Sequence, residues 1–378
     1  MRLPQAFILF FALIANSAAA LPGSDAPMGL RTEGTFSALF LEMTLADARS
    51  LSHPELDLRL TVANDWSIPT VLSRGSQTVL LQTDEQADAL SASLRMPWSR
   101  LFGPGPALGS KPLWERFSTS LEARVTEHWG GWSDPVIEWW HGFINSINFE
   151  RDFYPKNAIN VSLLDPSTGK GLDIHTARFA LGDLVARTQF LLVEGGTSAV
   201  SPERSRYALS ARFDFKVPLG SPSALGGSGN FDGGLGLVGT AELTPWLTVH
   251  GLFAVSAFGG LSLPVPLAPL TWHTTAELSI PVRLGPVTLL FEDRLTSSLF
   301  AGGWSLPPTT TDLDFQSSGY YGAFRAQNQM SGGVRYGDFT WWFSEDFTPG
   351  YNPHSTDSWF YDSNTPDIAT GIIFRTSL

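Results

Sequence analysis

The sequence predicts an all-β protein that folds as a single transmembrane antiparallel β-barrel. Three observations support this prediction: many segments alternate apolar with polar residues, the N-terminus resembles an export signal, and the composition is unusual. Only 16% of the residues are charged, whereas the chain contains 36 glycines and 26 phenylalanines. An average soluble domain has roughly 25% charged residues. This composition suits a protein with a lipid-facing outside and a wet inside.

The first twenty residues have the features of a signal peptide. Arg2 precedes an apolar run at 6–15, and three alanines at 18–20 provide small residues for cleavage. A run of about ten residues is too short to cross a bilayer as a helix. We therefore expect a signal peptide at 1–20 and one barrel domain at 21–378. The chain has no cysteine, which excludes disulfides and cysteine-based metal sites.

Residues 55–64, 117–127 and 207–218 have the clearest two-residue period. In the third segment, Phe213 and Phe215 alternate with Asp214 and Lys216, over the length that a tilted membrane strand requires. Segments of this kind, with turns such as Gly337-Asp338, predict about 14 strands, within a range of roughly 12 to 16. An even number would place both ends of the barrel domain on the periplasmic side, where the turns are short.

Alternation alone does not separate a barrel from a soluble β-sandwich. In a sandwich, the polar face is the solvated outside and the apolar face packs between two sheets. In a membrane barrel, the polar face lines the lumen and the apolar face contacts lipid. A secreted or periplasmic sandwich that binds a ligand therefore remains an alternative on sequence grounds.

The polar face of the predicted strands carries charges of both signs. Buried charges are expected to pair, because an unpaired one is costly. Charges of both signs at similar heights along the barrel axis indicate a salt-bridged, partly filled lumen rather than a wide ion-selective pore. The charges that we assign to the lumen are Arg59, Glu122, Arg124, Arg212, Asp214 and Lys216.

Residues 132–158 are the least strand-like part of the chain, and we predict a short helical or irregular insert folded into or over the lumen. Asp134 followed by proline is a favourable helix start. Glu138 and His141 would share its face, and with Arg151 they are assigned to a polar network. A histidine near two carboxylates could bind a metal or act as a base. Since zinc requires further protein ligands, we expect no metal, no cofactor and no catalytic residue.

The same insert resembles an uncharacterised bacterial family, domain-of-unknown-function family 3187. The resemblance rests on a D-x-x-I-E-x-x-H pattern at 134–141 and on Arg151, Pro155 and Asn157 after it. Residues 181–183 resemble the family's G-L-G-D turn, with Ala180 in place of the first glycine. Residues 216–232 resemble its K-x-P-x-G … G-S-G-x-x-D hairpin. The resemblance implies an outer-membrane β-barrel, and it implies no activity.

Two further clusters have simple structural interpretations. In the glycine-rich stretch at 216–232, the lysine precedes the glycines, which is the wrong order for a phosphate-binding loop, so we expect a hairpin. Asp84, Glu85 and Asp88 are predicted to lie in a solvated acidic loop between two strands, although a calcium site is conceivable.

The function that the sequence favours is a channel or passive transporter for a small solute or lipid in the bacterial outer membrane, or a purely structural role. The alternative within the same fold is an enzyme that modifies envelope lipids through His141. Expected partners are outer-membrane lipid, lipopolysaccharide and the barrel-insertion machinery. The formal net charge of −12 argues against nucleic acid. The oligomeric state stays open.

Overall fold

A computed structural model describes residues 26–109, 111–144, 155–199, 202, 204–260, 263–282, 287–302, 326–348, 361–362 and 368–378. The predicted signal peptide at 1–20 lies outside these residues. The strands in the described part are β1 Glu55–Arg74, β2 Gln77–Pro97, β3 Ala107–Leu108, β4 Lys111–Pro112, β5 Phe117–Trp129, β6 Val161–Asp165, β7 Lys170–Ile174, β8 Arg178–Leu181, β9 Leu184–Thr197, β10 Ser205–Val217, β11 Asp232–Thr244, β12 Leu247–Phe258, β13 Thr271–Pro281, β14 Val287–Thr296, β15 Gln327–Tyr336, β16 Phe339–Thr348, β17 Tyr361–Asp362 and β18 Ile368–Ser377.

Twelve of these strands form a closed antiparallel barrel. The order around it is β1, β2, β5, then β9 to β16 in sequence, then β18, which pairs with β1 again. Because the sheet closes on itself, the two-sheet sandwich is excluded. The ring has two strands fewer than the expected number. β1 and β2 have 20 and 21 residues and run past the barrel rim, where β6 pairs with β2 and β7 pairs with β6. Together with β8, which pairs with β5, and β17, which pairs with β16, these short strands lie outside the ring.

The two ends of the barrel differ in their connections. At one end, here called the N/C end, Glu55 of β1 pairs with Ser377 of β18. This end has two-residue turns at 245–246 and 337–338, connections at 198–204 and 282–286, and a longer connection at 98–116 that contains helix α1, Trp98–Phe102. The opposite end, here called the loop end, has the two-residue turn between β1 and β2 at 75–76 and the longer connections at 130–183, 218–231, 259–270, 297–326 and 349–367. Helix α2, Asp134–Ile144, lies in the first of them. No helix in the described ranges is long and apolar enough to cross a membrane.

The alternation predicted from the sequence is confirmed in the barrel wall. In β10, Phe213 and Phe215 face outward and are 48% and 37% exposed, whereas Asp214 between them is fully buried. Exposed apolar side chains recur around the ring on the same outer face: Leu94, Leu121, Leu209, Leu235, Leu237, Phe253, Trp272, Leu278, Phe291, Met330, Val334 and Trp341. The barrel therefore presents an apolar belt outward and a polar surface inward.

The acidic cluster near residue 85 is not the solvated loop that we expected. Asp84, Glu85 and Asp88 lie inside β2 and are buried. Glu85 faces the lumen, where His128 Nδ1 contacts its carboxylate at 2.9 Å. Asp84 and Asp88 face outward, where Asn160 of the 130–183 connection donates to Asp84 and Trp129 at the end of β5 donates to Asp88. The cluster looks like a loop in sequence because it interrupts the apolar face of a strand.

Candidate functional site: a filled lumen

Residues 26–50, here called the luminal segment, run up and down the inside of the barrel. The segment starts at the N/C end, where Arg375 donates to the Pro27 carbonyl at 2.8 Å. It reaches the loop end, where Lys216 Nζ donates to the Leu39 carbonyl at 3.0 Å. It then returns to the N/C end, where Ser50 Oγ donates to Glu194 at 3.3 Å. An ascending limb, 26–36, and a descending limb, 40–50, thus flank a short 3₁₀ turn, Ser37–Leu39.

The ascending limb is held through its backbone by charged side chains of the wall. The amide of Met28 donates to Glu277 at 2.5 Å, and that of Gly29 donates to Glu292 at 3.1 Å. Arg59 donates to the Gly29 carbonyl at 2.5 Å. Buried backbone groups outside a sheet need such partners. Wall side chains therefore replace the strand ladder that this limb lacks.

Arg294 joins the two limbs. Its side chain is almost fully buried, and it donates to the Leu30 carbonyl on the ascending limb and to the Glu42 carboxylate on the descending limb. Glu42 also accepts from the Thr32 amide at 2.8 Å. One guanidinium on β14 thus connects the wall to both limbs at the same level.

The descending limb combines polar anchors with apolar packing. The Leu41 amide donates to Asp232 at 2.9 Å, and the Ala48 amide donates to Thr240 Oγ1 at 3.0 Å. Between these anchors, the limb packs against an apolar patch on the inner faces of β9 to β12. The patch and its limb partners are Met43, Leu45, Ala48, Leu191, Ala208, Val238, Leu252 and Ala254.

The turn of the luminal segment is packed into an apolar core at the loop end. Phe36, Leu39 and Phe40 contact side chains from the rim of β1 and β2, from the β6–β7 hairpin and from three loop-end connections. The contacting residues are Leu72, Val79, Leu81, Val161, Leu163, Leu172, Ile174, Leu225, Val265, Leu299 and Phe300. The loop end is therefore closed by hydrophobic packing, whereas the N/C end is lined by charges.

All six charges that the sequence analysis assigned to the lumen face it, and each has an oppositely charged partner. The pairs are Arg59–Asp57 at 2.8 Å, Glu122–Arg187 at 2.6 Å, Arg212–Asp214 at 2.7 Å, Lys216–Asp183 at 2.6 Å, Lys216–Asp232 at 3.0 Å, and Arg124–Glu33. Glu33 belongs to the luminal segment. Pairing of buried charges in this way meets the requirement that each be compensated.

The described part of the 132–158 insert lies outside the barrel, whereas the sequence analysis placed it in or over the lumen. Asp134 accepts from Asn64 Nδ2 at 3.2 Å, and Trp140 Nε1 donates to Glu345 at 2.5 Å. Asn64 and Glu345 lie on the outward face of β1 and β16. Helix α2 therefore packs across the outside of the wall, over the pairing of the first and last barrel strands.

The four residues of the predicted polar network are not all described. Asp134 also accepts from the Asn157 amide at 2.5 Å, and Glu138 pairs with Lys156 at 2.6 Å. The His141 side chain and Arg151 lie outside the described residues. Within the described part of the chain, no group of three or more His, Asp or Glu side chains is placed to hold a metal ion.

One feature of the sequence indicates that the 132–158 insert packs on the outer face of β1 and β2. Asn64, Gln86 and Asp88 fall on the positions that should be apolar in β1 and β2, and polar side chains there need partners. The 129–134 region supplies them: Trp129 Nε1 donates to Asp88 at 3.0 Å, and the Trp132 amide donates to Gln86 at 3.0 Å. A break in the apolar face thus marks where the insert docks.

Sequence reasoning missed the luminal segment altogether. The available signal was the alternation of Leu39, Leu41, Met43 and Leu45 with other residues ahead of the first predicted strand. That pattern resembles a strand, yet these residues are buried in the lumen without pairing in the ring. An isolated extended segment has no partner strand, so its sequence period does not reveal which surface it contacts.

No protein-family model matches the chain, and no curated protein matches it significantly. Among solved structures, an outer membrane channel from Pseudomonas putida F1 has 10% identity and a TM-score of 0.43, over 88% of this chain and 98% of that chain. A FadL homologue from Pseudomonas aeruginosa has 8% identity and a TM-score of 0.34, over 86% and 89% of the two chains. OmpF from Salmonella typhi has 6% identity and a TM-score of 0.29, over 85% and 97%. At these TM-scores the likenesses assign no function, and the twelve-stranded ring rests on its own strand pairings.

Proposed function

We propose that this protein is a gated outer-membrane channel for a small solute, and that the luminal segment is its gate. The observation that carries the proposal is the way in which this segment is held. It fills the lumen through side-chain hydrogen bonds and packing, and it contributes no strand to the ring. Its removal would therefore leave the hydrogen-bond ladder of the wall complete.

The location of the protein is part of the proposal. The apolar belt on the outside of the ring has the character of a lipid-facing surface, and we assign the N/C end, with its short turns, to the periplasmic side. We also keep membership of domain-of-unknown-function family 3187 as a proposal, on the motifs at 134–157, 181–183 and 216–232. The predicted signal peptide at 1–20 would supply the route of export that this location requires.

The polar character of the lumen favours movement of the segment over permanent closure. A hydrogen bond inside a protein contributes only about 0.5–1.5 kcal/mol net, because water replaces the partner when the bond opens, and the N/C end of the lumen is lined by hydrogen-bonding groups. The segment begins and ends at that end. Its exit toward that side requires the turn to leave the apolar core at the loop end, but no part of the segment has to pass through that end.

The experiment is a comparison of conductance in planar bilayers between the intact chain and a variant that lacks residues 26–50. Both proteins are first tested for the heat-dependent gel mobility of a folded barrel. We expect the deletion variant to conduct steadily and the intact chain to be closed or to open only briefly. A folded deletion variant with no conductance would refute the channel and leave a structural role.

A further inference from the structure

A charged cavity of about 90 Å³ lies at the N/C end of the lumen. Both limbs of the luminal segment line it, with Pro27 from the ascending limb and Asp47 from the descending limb. Its other walls are the inner faces of β1, β2, β5, β9, β10 and β18. Five guanidinium groups reach it, from Arg59, Arg95, Arg187, Arg212 and Arg375.

Four of these five guanidinium groups are already bound to carboxylates. Arg59 and Arg375 share Asp57, with closest distances of 2.8 and 2.6 Å. Arg187 contacts Glu122 at 2.6 Å, and Arg212 contacts Asp214 at 2.7 Å. These four groups therefore have little capacity left for a ligand.

Arg95 is different. Its Nε donates to the Ser118 hydroxyl at 3.2 Å, and the carboxylate nearest to it, that of Glu55, is 4.0 Å from Nη1. Its Nη2 atom is buried and has no hydrogen-bond partner among the described residues. A buried donor without a partner is unfavourable. The guanidinium of Arg95 is therefore available to donate hydrogen bonds to an anion.

The surroundings of Arg95 suit an anion as well. The cavity is lined by Ser93, Ser118 and Ser120, whose hydroxyls can donate hydrogen bonds. Asp47, the acid of the descending limb, is held by Arg49 at 2.6 Å. When Arg49 and Asp214 are included as partners of lining groups, six guanidinium groups face five carboxylates. The cavity is thus locally cationic in a chain whose net charge is −12.

We infer that Arg95, together with the Ser118 and Ser120 hydroxyls, forms a binding site for a small carboxylate anion at the N/C end of the lumen. A planar guanidinium is the side chain best shaped to bind a carboxylate through two hydrogen bonds. The inference rests on the proposed function in one respect: it identifies small carboxylates as the class of solute that the proposed channel carries. Binding itself does not require that the channel opens.

The test is a titration of trifluoroacetate, the carboxylate probe, with the full-length protein in a neutral detergent, followed by ¹⁹F line broadening. The variants are Arg95→Gln, Arg95→Lys and the control Arg100→Gln, which removes an exposed arginine at the same end outside the cavity. 3,3,3-Trifluoropropylammonium, which is protonated at neutral pH, serves as a cation of similar size. Heat-dependent gel mobility shows whether each variant is folded.

We expect saturable broadening of trifluoroacetate with the intact chain and with Arg100→Gln, and binding about tenfold weaker with Arg95→Gln, since a charge-assisted pair is lost. Arg95→Lys should bind with intermediate strength because it retains the charge without the fork. Equal broadening with folded Arg95→Gln, or equal broadening by the cation, would overturn the site. If the variant without residues 26–50 does not conduct, the channel fails, yet the titration of the intact chain still decides the site.

Discussion

The sulfur of Met43 occupies the space where the side chain of residue 234 would begin. A Cβ added to Gly234 would stand 2.6 Å from Met43 Sδ, well inside van der Waals contact. The same relation recurs on the other limb, where a Cβ at Gly333 would stand 2.6 Å from Met28 Sδ. Each limb of the luminal segment thus places a methionine over a wall glycine, and the barrel is shaped to receive it.

Replacing Gly234 with valine should loosen the descending limb. The added methyl groups collide with Met43, and overpacking of this kind costs about 1–3 kcal/mol. We expect more frequent channel openings in planar bilayers and faster trypsin cleavage at Arg49. Gly239→Val is the matched control, because Gly239 lies on the same strand and no atom of the described residues is within 4 Å of its Cβ position. Equal behaviour of the two variants would show that the Met43–Gly234 contact does not hold the segment.

Arg294→Gln should release both limbs at once. Glu42 and Glu292 lose their shared cation, and breaking a buried ion pair costs about 3–5 kcal/mol. We expect a lower urea midpoint, measured by tryptophan fluorescence. The double variant Glu42→Gln/Arg294→Gln should recover part of the loss, since it no longer leaves the Glu42 carboxylate unpaired. A double variant as unstable as the sum of both single changes would contradict this pairing.

A disulfide between the descending limb and β10 should hold the channel closed. Ser210 Oγ donates to the Ala48 carbonyl at 2.6 Å, so these two residues are close neighbours. The chain has no native cysteine, so the double variant Ala48→Cys/Ser210→Cys has a single possible pair. Openings should disappear on oxidation and return with dithiothreitol. Each single-cysteine variant is the control, and openings that persist in the cross-linked protein would exclude movement of this limb.

Trp140→Phe should weaken the docking of helix α2 on the outer wall. The change keeps the ring contact with Phe343 and removes the hydrogen bond to Glu345. A hydrogen bond to a charged group contributes about 1.5–3 kcal/mol. We expect faster amide exchange in α2, measured by mass spectrometry. Trp139→Phe is the control, because Trp139 is 66% exposed, and it should leave the exchange rates unchanged.

The turn between β6 and β7 should depend on pH. The Ser167 side chain and backbone donate to Asp165 at 2.6 and 2.8 Å, and these hydrogen bonds lower the pKa of that carboxyl below 3.8. A lowered pKa in the folded state means that the stabilisation is complete above pH 3.8 and is lost as the pH falls through the folded value. The protection factor of the Gly169 amide, which corrects for the pH dependence of intrinsic exchange, should therefore fall in acid. Asp165→Asn should remove most of this pH dependence, and a variant with the same acid response would assign it elsewhere.

The barrel wall could be predicted because each strand needs an apolar face outward and a polar face toward the lumen. That requirement imposes a two-residue period, and the segments at 55–64, 117–127 and 207–218 all form barrel strands. The start of helix α2 was also predictable, since Asp134 followed by proline is a local signal. Strand number was less certain, because β1 and β2 continue beyond the ring and their sequence does not mark where the barrel stops.

The sequence predicted a salt-bridged, partly filled lumen, but it did not predict which residues fill it. Alternation shows that Arg212 and Lys216 face inward, but it does not say what meets them there. The partners include the Thr44 and Leu39 carbonyls of the luminal segment, which are far away in sequence. Backbone carbonyls have no sequence signature. The anion site at Arg95 depends in the same way on the return of the descending limb to the N/C end.

The path of the luminal segment also constrains how the molecule is assembled. The ring is closed by β1 and β18, whose paired residues Glu55 and Ser377 are separated by nearly the whole domain, and contacts so distant in sequence form slowly. A segment folded back on itself, with both ends at the same rim, can slide into a finished cylinder afterwards. The barrel wall can therefore close in one step, and the luminal segment can enter the lumen in a later one.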